Sequence, residues 1–213
     1  MRIEVENDQI RARKKQEYEE LVAEMDQKGM EARLEKISIV TANVFGVLVF
    51  FIVGAISFAL FYLIHGREAL GNYMGVEGSA KLLLFVVVYA VTIFVHEFIH
   101  GFFWHFPCEG KWKSIDFGFN PKCITPYCHC REALNLKQYL WGALAPTVFL
   151  GIVPIIVGLV IADAFVLLIG VVGVVGGCGD LMVIWTLRKH KDCMLFDNPY
   201  EVGYAYFVKK NAD

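Results

Sequence analysis

Polar and apolar positions along this chain are sorted into long blocks. Charged side chains crowd residues 1–36, and Ile10, Tyr18, Leu21, Val22 and Met25 recur among them at helical spacing. That block predicts a charged helix with a weak apolar stripe, either solvated or laid against a membrane surface or partner. Residues 37–66 then hold no formally charged side chain. Residues 82–104, 140–162 and 164–187 are the other long apolar runs; Asp163 alone separates the last two. A helix crossing a bilayer needs roughly 20 apolar residues, so each run is long enough for one span, and the one-residue separator predicts a tight helical hairpin.

The expected fold class is an all-α membrane protein. It has four transmembrane helices and, between helices 2 and 3, a cytoplasmic loop or a short β-hairpin such as residues 112–119. The blocks divide the chain into a charged cytoplasmic N-terminal helix (1–36), a four-helix membrane domain (37–192) and a cytoplasmic tail (193–213). The first block lacks the apolar core of a secretory leader, so residue 37 onward is expected to be an uncleaved first span.

Composition supports the same picture. A hydrophobic content of 56% with a mean hydropathy of +0.49 exceeds what soluble globules carry. A net charge of -2 and a pI near 6.3 leave no broad basic surface for nucleic acid. Lys and Arg gather before residue 37 (Arg11, Arg13, Lys14, Lys15, Arg33, Lys36), between 106 and 137 (Lys111, Lys113, Lys122, Arg131, Lys137) and after 187 (Arg188, Lys189, Lys191). By the positive-inside rule those three regions face the cytoplasm, so both termini are cytoplasmic and the protein is multi-pass, in the plasma (inner) membrane. The lipid bilayer is one expected partner and a membrane-protein or peptide substrate the other; nucleic acid is not, and nothing in the chain sets an oligomeric state.

One polar cluster stands inside an apolar run. His96-Glu97-Phe98-Ile99-His100 is HExxH, a pattern that chance placement produces about one time in a hundred in such a chain. A step of four residues sets both imidazoles on one helix face, about 40° apart, where they can share a cation. Zn2+ suits neutral imidazole, and Glu97 is placed to take a proton from a water made acidic by the metal. Ionisable groups within a span are costly and usually mark function.

A catalytic zinc commonly takes a third protein ligand. His105 lies about 140° round the helix from His100 and joins only if the helix ends first. Asp180, the one charge inside the last run, is the better candidate, because His96, His100 and Asp180 lie at similar depth from the cytoplasmic ends of their runs. Gly170, Gly173, Gly177 and Asp180 share one helix face, which predicts close packing against the helix that bears the histidines. Pro146, in Gly142-Ala143-Leu144-Ala145-Pro146, frees the Gly142 carbonyl. Gly142 and Pro146 are therefore candidate substrate contacts, or the proline is an ordinary kink. Cys108, Cys123, Cys128 and Cys130 lie in a region expected to be reducing, so they are thiols that pack the loop or bind a second metal.

With HEFIHG, GALAP and Gly179-Asp180 in successive runs, the chain resembles the membrane family classed as zincin metallopeptidases, distant relatives of site-2 proteases. The likeness extends over residues 37–207 and includes the tail from Asp197 to Gly203. It implies that His96, His100 and Asp180 hold zinc and that Glu97 is the base. The expected function is a zinc-dependent, intramembrane or membrane-proximal hydrolase of peptide bonds near the cytoplasmic side. The alternatives are a catalytically silent metal-binding scaffold, and a small metal or solute transporter.

Overall fold

The computed structural model describes residues 2–71, 78–120, 125–190, 192–198 and 203–210. The elements run α1 (Arg2–Gln27), β1 (Met30–Lys36), α2 (Ile39–Gly71) and α3 (Gly78–Trp104), then a 3-10 turn at Lys111–Ser114. There follow β2 (Ile115–Asn120), β3 (Thr125–Cys130), β4 (Leu134–Asn135), α4 (Leu136–Pro146), a π-helical stretch at Thr147–Ile152 and α5 (Val153–Val160). The chain closes with α6 (Ala164–Gly176), α7 (Cys178–Leu187), β5 (Met194–Asp197) and β6 (Gly203–Lys209). It divides into two units. One comprises Val40–His100 and Ala143–Leu181; the other comprises Met1–Ile39, Gly101–Gly142 and Met182–Asp213.

The first unit is helical. Ile39–Ala69, Ala80–Trp104 and Leu136–Val160 are each long and apolar enough to cross a membrane. Ala164–Gly176 and Cys178–Leu187 together make a fourth candidate, bent by 45° at Gly177. The outward side chains of α2 and α3 are apolar; Phe51, Leu63 and Leu82 each expose about two thirds or more of their surface. Such a surface is a liability in water and the ordinary exterior of a helix in hydrocarbon.

The expected hairpin at Asp163 is present. Asp163 Oδ1 accepts from the amides of Phe165 (2.8 Å) and Val166 (3.0 Å), capping α6 where the first amides have no helical partner. The glycine face of α6 departs from expectation. A Cβ on Gly173 would stand 1.9 Å from the Leu150 carbonyl oxygen, and one on Gly170 would stand 2.5 Å from the Ile155 amide. The glycines therefore serve close approach to the preceding helix rather than to the histidine helix. The short turn makes α5 the natural neighbour, and close backbone approach is what associates helices in lipid. Pro146 is followed by a π-helical widening rather than a simple bend.

The second unit corrects the all-α expectation. Four antiparallel strands run β1-β6-β5-β4, and β2 and β3 form a separate hairpin. Residues 30–36, assigned from sequence to the N-terminal helix, form β1, which pairs Met30 with Lys209 through Lys36 with Gly203. α1 ends at Gln27, and Gly29 just beyond it turns the chain with a φ of +73°, the left-handed conformation that glycine adopts freely. The tail contributes β5 and β6, in register Phe196 with Ala205. The hairpin's paired residues are 115–120 and 125–130 rather than 112–119, since Trp112 lies in the 3-10 turn.

The stripe on α1 is neither solvated nor free. Tyr18 and Met25 are buried with Phe196, Ala205 and Phe207, flanked by Leu21 and Val22. Each large apolar side chain so buried contributes about 1.5–3 kcal/mol. Ile10 lies outside the residues whose side chains are described. A polar seam also crosses this unit. His129 Nδ1 lies 2.9 Å from Asp197, Arg131 pairs with Glu17 at 2.8 Å, and Arg13 pairs with Asp116 at 2.6 Å. Lys14 sits 4.0 Å over the Tyr127 ring. Burial draws its ammonium below the ordinary lysine value, against the opposing pull of Asp197 and Asp116.

Candidate metal centre

The candidate site lies wholly within the helical unit. α3 carries His96 and His100 one helical turn apart, their ring centroids 4.7 Å apart and their planes crossed at 76°. Asp180 comes from the first turn of α7, just past the break at Gly177, where a carboxylate favours the positive end of the helix. Its Oδ2 lies 3.1 Å from His96 Nε2 and 3.4 Å from His100 Nε2, and the two Nε2 atoms are 3.0 Å apart. His100 is buried and His96 is partly covered.

Three ligand atoms thus converge in a triangle with sides of 3.0–3.4 Å. Two bonds of about 2.05 Å at the tetrahedral angle put neighbouring zinc ligands roughly 3.3 Å apart, so the arrangement fits that ion. The donor set fits as well. Two imidazole nitrogens facing one another repel unless a proton or cation lies between them, and the added carboxylate favours the cation. Among the described residues this is the one group of three or more His, Cys, Asp or Glu ligand atoms so gathered. Three protein ligands leave a fourth tetrahedral position open, which distinguishes catalytic from structural zinc sites. Glu97 follows His96 on the same turn and is half-buried.

The glycine at the α6–α7 break is required by sterics. A Cβ on Gly177 would lie 2.0 Å from Thr147 Oγ1. Thr147 is itself buried in the π-helical stretch and was not singled out from sequence; its only signal there is a hydroxyl next to Pro146 in an apolar run.

The other sequence candidates fall elsewhere. His105 is buried, stacked on Trp112 with centroids 4.2 Å apart, and its Nδ1 bonds the Phe102 carbonyl. α3 does not end soon enough for it to join the imidazole pair: the His105 amide still donates to Gly101 at 2.9 Å. Gly142 has a packing role, since a Cβ there would meet the Trp104 indole at 2.0 Å. Pro146 closes α4. Cys108, Cys128 and Cys130 belong to the sheet-bearing unit, and Cys123 lies outside the described residues.

The chain is mostly helical, has three or four helices long and apolar enough to span a membrane, and brings two histidines and a carboxylate from separate helices to one point, an arrangement suited to a zincin-type site. Residues 89–195 match the family described as "Putative zincin peptidase", and the chain belongs to that family. The matched stretch contains His96, Glu97, His100 and Asp180. No curated protein and no solved structure matches the chain.

Proposed function

We propose that this protein is a zinc-dependent hydrolase of peptide bonds, similar in plan to site-2 proteases, that works within or beside the membrane near its cytoplasmic face. The observation that carries this reading is the 3.0–3.4 Å convergence of His96, His100 and Asp180 within a unit of membrane-length apolar helices.

In this reading His96 Nε2, His100 Nε2 and one Asp180 oxygen hold the ion. Bound there, zinc supplies Lewis acidity, polarising the scissile carbonyl and bringing the pKa of water towards neutrality. Glu97 removes the proton from the attacking water and delivers it to the departing amine nitrogen. Neutral imidazoles are needed as ligands, so each histidine keeps its remaining ring proton on Nδ1. A helical substrate unwinds locally first, because a carbonyl inside a helix is already hydrogen-bonded and shielded. In this reading both termini face the cytoplasm, and the distribution of Lys and Arg supports that orientation.

The test uses purified protein with Glu97→Gln. Retained metal with loss of cleavage of peptide or membrane-protein substrates supports the reading. Undiminished cleavage, or metal-loaded wild type that cleaves nothing while fully folded, overturns it, the latter in favour of a silent metal-binding scaffold.

A further inference from the structure

Away from the metal centre, two thiols meet in the sheet-bearing unit. Cys108 lies in the turn that leaves α3 and Cys130 ends β3, separated by 22 positions in sequence. Their sulfurs are 3.4 Å apart, and the two residues are 1% and 5% exposed. The chain's described cysteines are otherwise dispersed: Cys178 hydrogen-bonds the Val174 carbonyl in the helical unit, Cys193 is buried before β5, and Cys128 is half-buried.

We propose that Cys108 and Cys130 form a reversible disulfide that staples the β2–β3 hairpin to the segment leaving α3. The protein then carries a redox-modification site independent of its hydrolytic centre.

The two thiols are unequal in the way such a reaction needs. Either thiol can donate across the contact, and the Cys130 S–H also reaches the Glu132 carbonyl at 3.4 Å; the contact with Cys130 lowers the Cys108 thiol from its ordinary value against the opposing effect of burial. The same contact, with burial, pushes Cys130 well up. Cys108, in a turn whose neighbours Phe106, Glu109 and Gly110 are exposed, is the thiol an oxidant reaches first and is assigned the attack. With a low-molecular-weight disulfide as oxidant, Cys108 attacks one of its sulfurs, the oxidant's S–S bond breaks, and one small thiol leaves with a proton. Cys130 then gives up its proton and attacks the Cys108 sulfur; the mixed disulfide breaks and the second small thiol departs. Two protein thiols are oxidised to one disulfide, and one small disulfide is reduced to two thiols.

Access comes through the turn. Phe106, Glu109 and Gly110, on either side of Cys108, are exposed. The turn is held by the Glu132 carboxylate, which accepts from the amides of Glu109 (2.8 Å) and Gly110 (2.9 Å) and from the Ser114 hydroxyl. Releasing those bonds exposes Cys108 and leaves the β2–β3 ladder paired. Cys128 lies two residues before Cys130, on the same face of β3, and is the competitor to be excluded.

The experiment uses the full chain in detergent, equilibrated with oxidised and reduced glutathione, quenched with iodoacetamide, digested and analysed by mass spectrometry. The expected result is one cross-linked peptide joining Cys108 to Cys130, with loss of two alkylatable thiols. Dithiothreitol should reverse both, and Cys128→Ser should retain them. Alkylation of both Cys108 and Cys130 after oxidation overturns the proposal. So does a glutathione adduct that never resolves, or a bond from Cys108 to Cys128. Wild type alone decides the matter, so a misfolded Cys108→Ser variant would not blur it. The readout is chemical, and it stands or falls separately from any peptidase assay.

Discussion

The two units solve opposite solvation problems. The helical unit turns apolar side chains outward on α2 and α3 and gathers three ionisable groups, His96, His100 and Asp180, around one point. The sheet-bearing unit buries Tyr18, Phe196 and Phe207 and puts most of its Lys, Arg, Glu and Asp at the surface. The difference shows why one cluster of three polar side chains is so informative in the first unit and a longer polar seam is less so in the second. In hydrocarbon an ionisable group is expensive unless a partner or ion compensates it, whereas next to water salt bridges form readily and contribute little.

The sharpest way to break this comparison is at the metal centre. Glu97→Gln should lower peptide hydrolysis by about a hundredfold to ten-thousandfold, with one equivalent of metal still found by elemental analysis. His100→Ala and Asp180→Ala should instead lose the metal. Their affinity should fall beyond the roughly 10–100-fold that removal of an outer partner costs. Binding that survives Asp180→Ala at wild-type strength would remove the carboxylate from the site.

The next largest effect contrasts two phenylalanines. Phe196→Ala, at 1% exposure, should destabilise the sheet-bearing unit by about 3–5 kcal/mol, read as faster hydrogen exchange in β5 and β6. Phe51→Ala, at 66% exposure on α2, should stay within about 0.5 kcal/mol in a bilayer or detergent. Equal effects would mean that the outward face of α2 is buried against something other than lipid. Gly173→Ala tests the helical hairpin, where the new methyl would overlap the Leu150 carbonyl. A loss of about 1–3 kcal/mol is expected, measured by thermal aggregation in detergent.

The smallest effect is a pH dependence. Burial would raise the Glu132 carboxyl, but the Ser114 hydroxyl and the amides of Gly110 and Glu109 win and hold it below the ordinary carboxylate value. A depressed folded value means that this stabilisation is complete at neutral pH and is lost as pH falls through the folded value. Below about pH 4.5 the wild-type turn at 108–114 should exchange amides faster, and Glu132→Gln should flatten that dependence.

How much was legible beforehand varies by unit. The apolar runs, the Asp163 turn and the HExxH spacing could be taken from one-dimensional pattern, because each is a local property with a fixed period or length. Asp180 was legible too, since a lone charge in an apolar run has few explanations. β1 was missed because its alternation of Met30, Ala32 and Leu34 with charged residues is short and was absorbed into the charged N-terminal block. Three alternating apolar positions are too few to outweigh a neighbouring helix of 26 residues until the partner strand is known. β5 and β6 pair with each other close in sequence, but the sheet that holds them is completed by distant strands, β4 beside β5 and β1 beside β6. The glycine face of α6 was recognised but given the wrong partner. Periodicity locates a packing face, and it does not say which neighbour meets it.

By itself, then, the sequence determined the membrane-length helices, the imidazole pair and the carboxylate suited to join it, since hydrophobic length and helical spacing are set by neighbours in the chain. Only the tertiary structure decided that Asp180 reaches His96 and His100 past a break at Gly177, that α1 docks on a four-stranded sheet, and that Cys108 meets Cys130. Each of those depends on backbone directions set by distant segments, and no local pattern encodes where a bent helix or a returning strand will point.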